Sequence, residues 1–176
     1  RGNVTDGAAR AMTESSVLQS FPERNHDHKD CLAQAIAAAE RACAARGVRL
    51  TDLRRRVLEL IWDSHTPVKA YDLLDRLRQE RSGVAPPTVY RALDFLAAEG
   101  LVHRIESLNA FVGCGGPGQG HQGQFLICER CGEAAELNDP DINAVLEDKA
   151  RRLGFRVDRF TVELKGRCPR CAEGTR

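Results

Sequence analysis

The sequence predicts an α+β protein built in two parts. Three observations carry this: four segments with apolar residues at helical spacing and a short hairpin occupy residues 31 to 113; the Gly-rich stretch CGGPGQGHQG follows; and a strand, strand, helix, strand pattern comes last. Two C-x-x-C pairs, Cys128 with Cys131 and Cys168 with Cys171, lie near the two ends of that last part. A chain of 176 residues without a long apolar run has room for one domain or two small ones, and nothing in it reads as a membrane span. The N-terminal RGNVTDGAARAMTESS lacks the pattern of a secretory signal, so a cytoplasmic location and reduced thiols are expected. Net charge is +1, so whole-chain electrostatics select neither nucleic acid nor membrane.

Residues 1 to 30 are polar and aperiodic and are expected to form a disordered arm without core residues. From Cys31 to Gly47, CLAQAIAAAERACAARG is Ala-rich and helical, with Cys43 packed as a small core residue. Thr51 is the expected N-cap of TDLRRRVLELIWDS, whose stripe is Leu53, Val57, Leu60 and Ile61. After the HTP break, with His65 read as a turn residue, KAYDLLDRLRQE gives a third helix with Ala70, Leu73, Leu74 and Leu77 inward. Pro86 and Pro87 occupy the first turn of the fourth helix, which Gly100 ends, and its stripe is Val89, Leu93 and Leu96. At 100° per residue Tyr90, Arg91 and Asp94 then face outward. LVHRIES and NAFVG read as a hairpin, and helices followed by this hairpin make a winged helix-turn-helix over residues 31–112.

A Gly-rich hinge covers 113–123, mobile unless something pins it, and residues 124–176 form the second domain. There GQFLIC and EAAELN are expected strands, Pro140 and Gly154 frame a helix with the stripe Ile142, Val145, Leu146 and Leu153, and FRVDRFTVELK is a further strand. So thin a layer is expected to bury one face against a second copy of the chain. Two residues between paired thiols let both sulfurs turn toward one tetrahedral centre, and Gly132 suits the tight turn after Cys131. Cys128, Cys131, Cys168 and Cys171 are therefore expected to hold one structural Zn²⁺ that closes this domain. Seven cysteines, an odd number, fit poorly with a closed set of disulfides. His26, Asp27, His28 and Cys31 in HDHKDC offer further donors, but short His-containing tracts in arms are more often incidental.

PPTVYRALDFL, followed by FLICERCG and the second C-x-x-C pair, resembles the ferric uptake regulator family of bacterial metal-responsive repressors over residues 32 to 171. The resemblance implies a winged-helix DNA-binding domain, a C-terminal dimerisation domain, and a homodimer that binds palindromic double-stranded operator DNA. It is strongest to the zinc-sensing members, since the iron sensors usually carry a His-rich run where this chain has GHQGQFLIC. That match implies a second, regulatory Zn²⁺ held by His103, Cys114, His121 and Glu136, and a base-contacting position at Tyr71. One thiolate, two imidazoles and a carboxylate suit tetrahedral zinc better than octahedral iron. Arg91 is the candidate for a guanine contact and Tyr90 for a thymine methyl, sugar or phosphate. The dense basic stretch holding Arg54, Arg55 and Arg56 is the candidate phosphate-binding surface. Asp75 and Arg78 could meet between two dimers on one operator.

The function expected is zinc-dependent repression of zinc-uptake genes, without catalysis or a small-molecule substrate. Two alternatives stay open at this point. One is a sensor of iron or peroxide on the same fold; the other is a zinc hydrolase or deaminase with Glu136 as general base, although H-x-E and P-C-x-x-C are both missing.

Overall fold

The computed structural model describes residues 16–22 and 28–174. Helices α1 (His28–Ala45), α2 (Asp52–Trp62), α3 (Ala70–Glu80) and α4 (Pro86–Ala98) come in the expected order, preceded by a short strand β1 (Val17–Gln19) that was not expected. The inward faces are those the helical spacing predicts. Leu73, Leu74 and Leu77 of α3 and Val89, Leu93 and Leu96 of α4 are buried, together with Ile36, Ala39 and Cys43 of α1. On α2 the stripe is shifted: Leu53 only borders the core, while Leu58 and Trp62 lie inside it. Arg46 ties the end of α1 to the end of α4 by donating to the Glu99 carbonyl at 2.7 Å.

Strands β2 (Val102–Ile105) and β3 (Ala110–Gly113) pair antiparallel and form the wing. A 3-10 turn, Glu106–Leu108, joins them. Val68, just before α3, exchanges both backbone hydrogen bonds with Phe111 at 2.8 Å, which stitches the wing to the helices. One side of the wing faces the other domain: Ile105 and Val112 share a buried cluster with Phe125, Ile127 and Ala134.

The C-terminal part contains β4 (Gly123–Cys128), β5 (Ala134–Leu137), α5 (Pro140–Arg152), β6 (Thr161–Gly166) and the short α6 (Pro169–Ala172). Its sheet runs β1-β5-β4-β6. Strands β4 and β5 are antiparallel neighbours, and β6 lies parallel to β4 because α5 carries the chain back across the layer. The last strand is shorter than expected: FRVDRF stays outside it, and pairing begins at Thr161.

The expectation of a disordered arm is corrected for its described part. Val17 and Gln19 pair with Leu137 and Glu136, Ser16 is buried, and His28 to Asp30 already belong to α1. The physical reason is the open edge of β5, whose free N–H and C=O groups need partners. The arm supplies them even though VLQ is too short to show strand periodicity. His26 and Asp27 lie outside the described residues.

The outer side of the C-terminal part is uncovered. No residue of α5 is buried; Val145, Leu146 and Leu153, with Phe155 and Leu164, are exposed large apolar side chains. Asp139 caps α5 by accepting from Asp141 N–H at 2.8 Å, so the helix is well started but packs little apolar surface within one chain.

Candidate metal centres and nucleic-acid interface

Among the described residues, two groups of donors converge closely enough to hold a metal ion. The first is the expected set of four thiols. Cys128 ends β4, Cys131 lies in the turn after it, Cys168 precedes α6, and Cys171 lies within α6. The first knuckle closes through Gly132 N–H to the Cys128 carbonyl at 2.8 Å, with Gly132 at φ 78°, where a side chain would be strained. Glu129 N–H reaches the Gly166 carbonyl at 2.9 Å and holds the two knuckles together. An Arg170–Glu133 ion pair and Arg130 donating to the Cys171 carbonyl at 3.1 Å reinforce that junction.

All four sulfurs lie within 4.8 Å of one another, and Cys131 and Cys168 are 3.8 Å apart. A tetrahedron with metal–sulfur bonds of about 2.3 Å needs sulfurs about 3.8 Å apart, so the set fits zinc. The thiol electrostatics agree. Burial opposes ionisation of Cys128, yet the backbone N–H groups of Cys168, Cys131 and Arg130 bring it to about 6. Burial and the neighbouring sulfurs push Cys131 and Cys171 up. One negative charge is welcome in this cluster and further ones are not, until a dication offsets them.

The second group takes one donor from the wing, two from the Gly-rich stretch and one from the C-terminal sheet. His103 lies on β2, Cys114 and His121 flank the glycines, and Glu136 sits on β5, buried at 2% exposure. The Nε2 atoms of His103 and His121 lie 2.8 and 2.7 Å from the same oxygen, Glu136 Oε1, and Cys114 Sγ is 3.6 Å from His121 Nε2. His103 Nε2 has the distance of an ion pair but no hydrogen bond is made there, although the atom is buried. A buried ring nitrogen aimed at a carboxylate without bonding it is what a missing shared ion would satisfy. The donor set, with its soft thiolate, fits tetrahedral zinc.

Two further residues set this geometry. Gly115 N–H donates to Glu136 Oε2 at 2.7 Å, which turns Oε1 toward the imidazoles. A side chain on Gly115 would strike the Leu18 carbonyl at 2.5 Å, so the glycine is also what lets β1 close over this loop. Neither role shows in the sequence beyond the glycine content of the stretch. Phe125 lies with its ring centroid 5.3 Å from that of His103. The Gly-rich stretch is thus pinned: Cys114 N–H bonds the Leu101 carbonyl at 3.0 Å on one side, and His121 meets Glu136 on the other.

Burial by itself would raise the Glu136 carboxyl, but the adjacent His103 and His121 imidazoles and the Gly115 N–H hold it at about 2. The Cys114 thiol is pushed well up, first by burial and then by the Glu136 charge. A metal must therefore displace one proton from Cys114 when it binds. Because the proton is held in the free site and absent in the filled one, metal affinity rises with pH, by about tenfold per pH unit for a single proton. Competition titrations of the second site between pH 6.5 and 8 should give that slope in wild type and a shallower one in Cys114→Ser.

The HDHKDC tract makes no such cluster among the described residues. The His28 ring stands 5.0 Å from that of His65, whose Nδ1 lies 3.0 Å from Gln19 Nε2.

In the helical domain, Tyr71 on α3 and Tyr90 on α4 are 68% and 43% exposed. Arg91 is exposed, as its position off the buried stripe requires. The basic stretch on α2 is differently placed. Arg55 pairs with Glu40 and Glu59, Arg56 with Glu59 and Glu80, and Arg54 donates to the Arg49 carbonyl while lying 3.4 Å over the Phe95 ring. These guanidiniums are engaged within the fold. Arg78 donates to the Val84 carbonyl at 3.1 Å.

A winged helix-turn-helix joined to a small sheet domain by a shared cluster of four candidate metal donors, with a cluster of four thiols beyond, has the makings of a metal-responsive DNA-binding protein. The profile of the Ferric uptake regulator family matches residues 45–165, and the chain belongs to that family. It is 41% identical over 139 residues to the Zinc uptake regulation protein of Escherichia coli (strain K12), covering 78% of this chain and 81% of that one. Two solved structures resemble it at a TM-score of 0.74. Holo XcZur is 52% identical and covers 80% of this chain and 98% of its own; a zinc uptake regulator complexed with zinc and DNA is 38% identical and covers 85% and 98%. No described helix is long and apolar enough to cross a membrane.

Proposed function

We propose that this chain is a cytoplasmic zinc-responsive transcriptional regulator that, as a homodimer, binds palindromic operator DNA when zinc fills the second site and so represses zinc-uptake genes. One observation carries the reading: the four donors of that site come from the wing, the Gly-rich stretch and the C-terminal sheet, and meet at one point. Domain limits of 31–112 for DNA binding, 113–123 for the hinge and 124–176 for dimerisation follow from that division. Zinc supplies a dication there, and Cys128, Cys131, Cys168 and Cys171 hold a second, structural one. The chain's own residues do the rest. His103 anchors the wing, Cys114 and His121 shorten the joint, and Glu136 is the fixed point on β5.

The exposed face of Val145, Leu146, Leu153, Phe155 and Leu164 is the surface on which a second copy docks. With the joint fixed, two α4 helices can be held one DNA turn apart, about 34 Å. The names of similar proteins, zinc uptake regulators and one bound to zinc and DNA, support the same assignment. An iron or peroxide sensor is disfavoured by the thiolate in the second site. A hydrolytic zinc is disfavoured because Glu136 touches both imidazoles as a fourth donor, leaving no carboxylate standing off as a base. Asp75, exposed on α3, remains the candidate for contacts between two dimers on one operator.

The test is operator binding by the full chain over buffered free zinc, with iron(II) and manganese(II) alongside. Tight binding that appears only as zinc loads the second site is expected. Zinc loading without a change in DNA affinity, or an equal response to iron, overturns the proposal.

At the DNA surface, Tyr71, Tyr90 and Arg91 are assigned to operator contacts, with Arg54, Arg55 and Arg56 as phosphate neighbours, of which Arg55 and Arg56 must first leave their carboxylates. Arg91→Ala should cost about 1–3 kcal/mol on the operator and relax specificity at one base pair. Equal losses on operator and random DNA would make it a phosphate contact only.

A further inference from the structure

One row of the C-terminal sheet supplies side chains that join the two domains. Gln19 on β1 pairs with Glu136 on β5, Glu136 with Phe125 on β4, and Phe125 with Glu163 on β6. Residues paired in register point to the same face, so four adjacent strands each aim one side chain at the helical domain. Gln19 meets His65, Glu136 holds His103 and His121, and Phe125 lies beside His103. Glu163 is the fourth. Its Oε1 accepts from Glu106 N–H at 2.7 Å and its Oε2 from Ser107 N–H at 3.2 Å.

Those amides open the 3-10 turn of the wing, which has no side-chain cap of its own. A carboxylate from one domain therefore caps a turn in the other. The spacing matches on both sides. Glu136 and Glu163 are two strands apart, about 10 Å, and the three residue steps from His103 on β2 to Glu106 at the start of the turn also span about 10 Å. The first strand of the wing thus lies across the row and is tied at both ends. A tie at His103 alone leaves a pivot, and a second tie removes it.

We infer that Glu163 is a positioning residue for operator binding, fixing the angle of the wing, and with it α4, against the dimerisation domain. This rests on the reading of the second site as the zinc-responsive one. Glu163 is not one of the metal donors; it acts through the wing turn.

The experiment uses the intact dimer with Glu163→Ala and Glu163→Gln. At saturating zinc, Glu163→Ala should bind operator about tenfold more weakly, with both zinc ions retained and affinity for random DNA unchanged. Glu163→Gln keeps an acceptor oxygen and should recover most of the loss. Without DNA, amide exchange at Glu106 and Ser107 should quicken in the alanine variant and stay slow in the glutamine variant. Wild-type operator affinity in Glu163→Ala overturns the assignment, as do equal losses on operator and random DNA, loss of a zinc ion, or unprotected Glu106 and Ser107 amides in wild type. A wild-type protein without zinc-dependent operator binding fails the functional reading instead, and the exchange measurement still reports whether the tie exists.

Discussion

Cys128→Ser is expected to unfold the C-terminal domain while leaving the helical domain folded. The outer elements of the C-terminal domain have little else to hold them: α5 and β6 have no buried residues, and the knuckles join β6 back to β4 beside the sheet ladder. A structural zinc contributes on the order of 10 kcal/mol, comparable with the whole stability of a small domain. Serine cannot replace the Cys128 thiol, which three backbone N–H groups hold at about 6 against burial. The helical domain has its own core from Ile36 to Val102 and does not depend on that metal. Zinc content should fall, the dimer should dissociate in light scattering, and helical circular dichroism should largely persist. A variant that stays dimeric with a cooperative unfolding transition and no zinc at these thiols would remove the structural role.

Cys114→Ser should have the opposite profile. The fold, the dimer and one tightly held zinc remain, because the Cys114 N–H bond to Leu101 is a backbone bond and serine is close in size. What is lost is the thiolate of the second site, and with it the coupling between zinc and DNA. Coupling energies of about 1–3 kcal/mol correspond to roughly 5–150-fold in affinity, so operator binding at high zinc should fall by about that factor to its metal-free level. By reciprocity, operator DNA should tighten zinc in wild type and not in the variant. A variant that still responds to zinc would move the sensory role elsewhere.

These two residues differ in how readable they were. The four thiols announce themselves through spacing, because a knuckle is a local structure and two residues between cysteines already determine where the sulfurs can point. The second site has no local pattern. His103, Cys114, His121 and Glu136 come from a hairpin, a Gly-rich stretch and a strand, so only the family resemblance singled them out before the fold brought them together. Gly115 and Phe125, which orient that site, were invisible for the same reason. The basic run on α2 was visible as charge, but its partners Glu40, Glu59 and Glu80 sit on three different elements, so its engagement was not.

The sequence by itself determined the helices, the wing, the joint and the thiol knuckles, since helical stripes, proline and glycine stops and short metal spacings act over a few neighbouring residues. Only the tertiary structure decided that β1 leaves the arm to complete the sheet, that the stripe of α5 stays outside the core of a single chain, and that Gln19, Glu136, Phe125 and Glu163 fall in one row. The reason is register. Which residues of distant strands stand side by side depends on edges and crossovers formed after the local elements exist, and no run of consecutive residues encodes it.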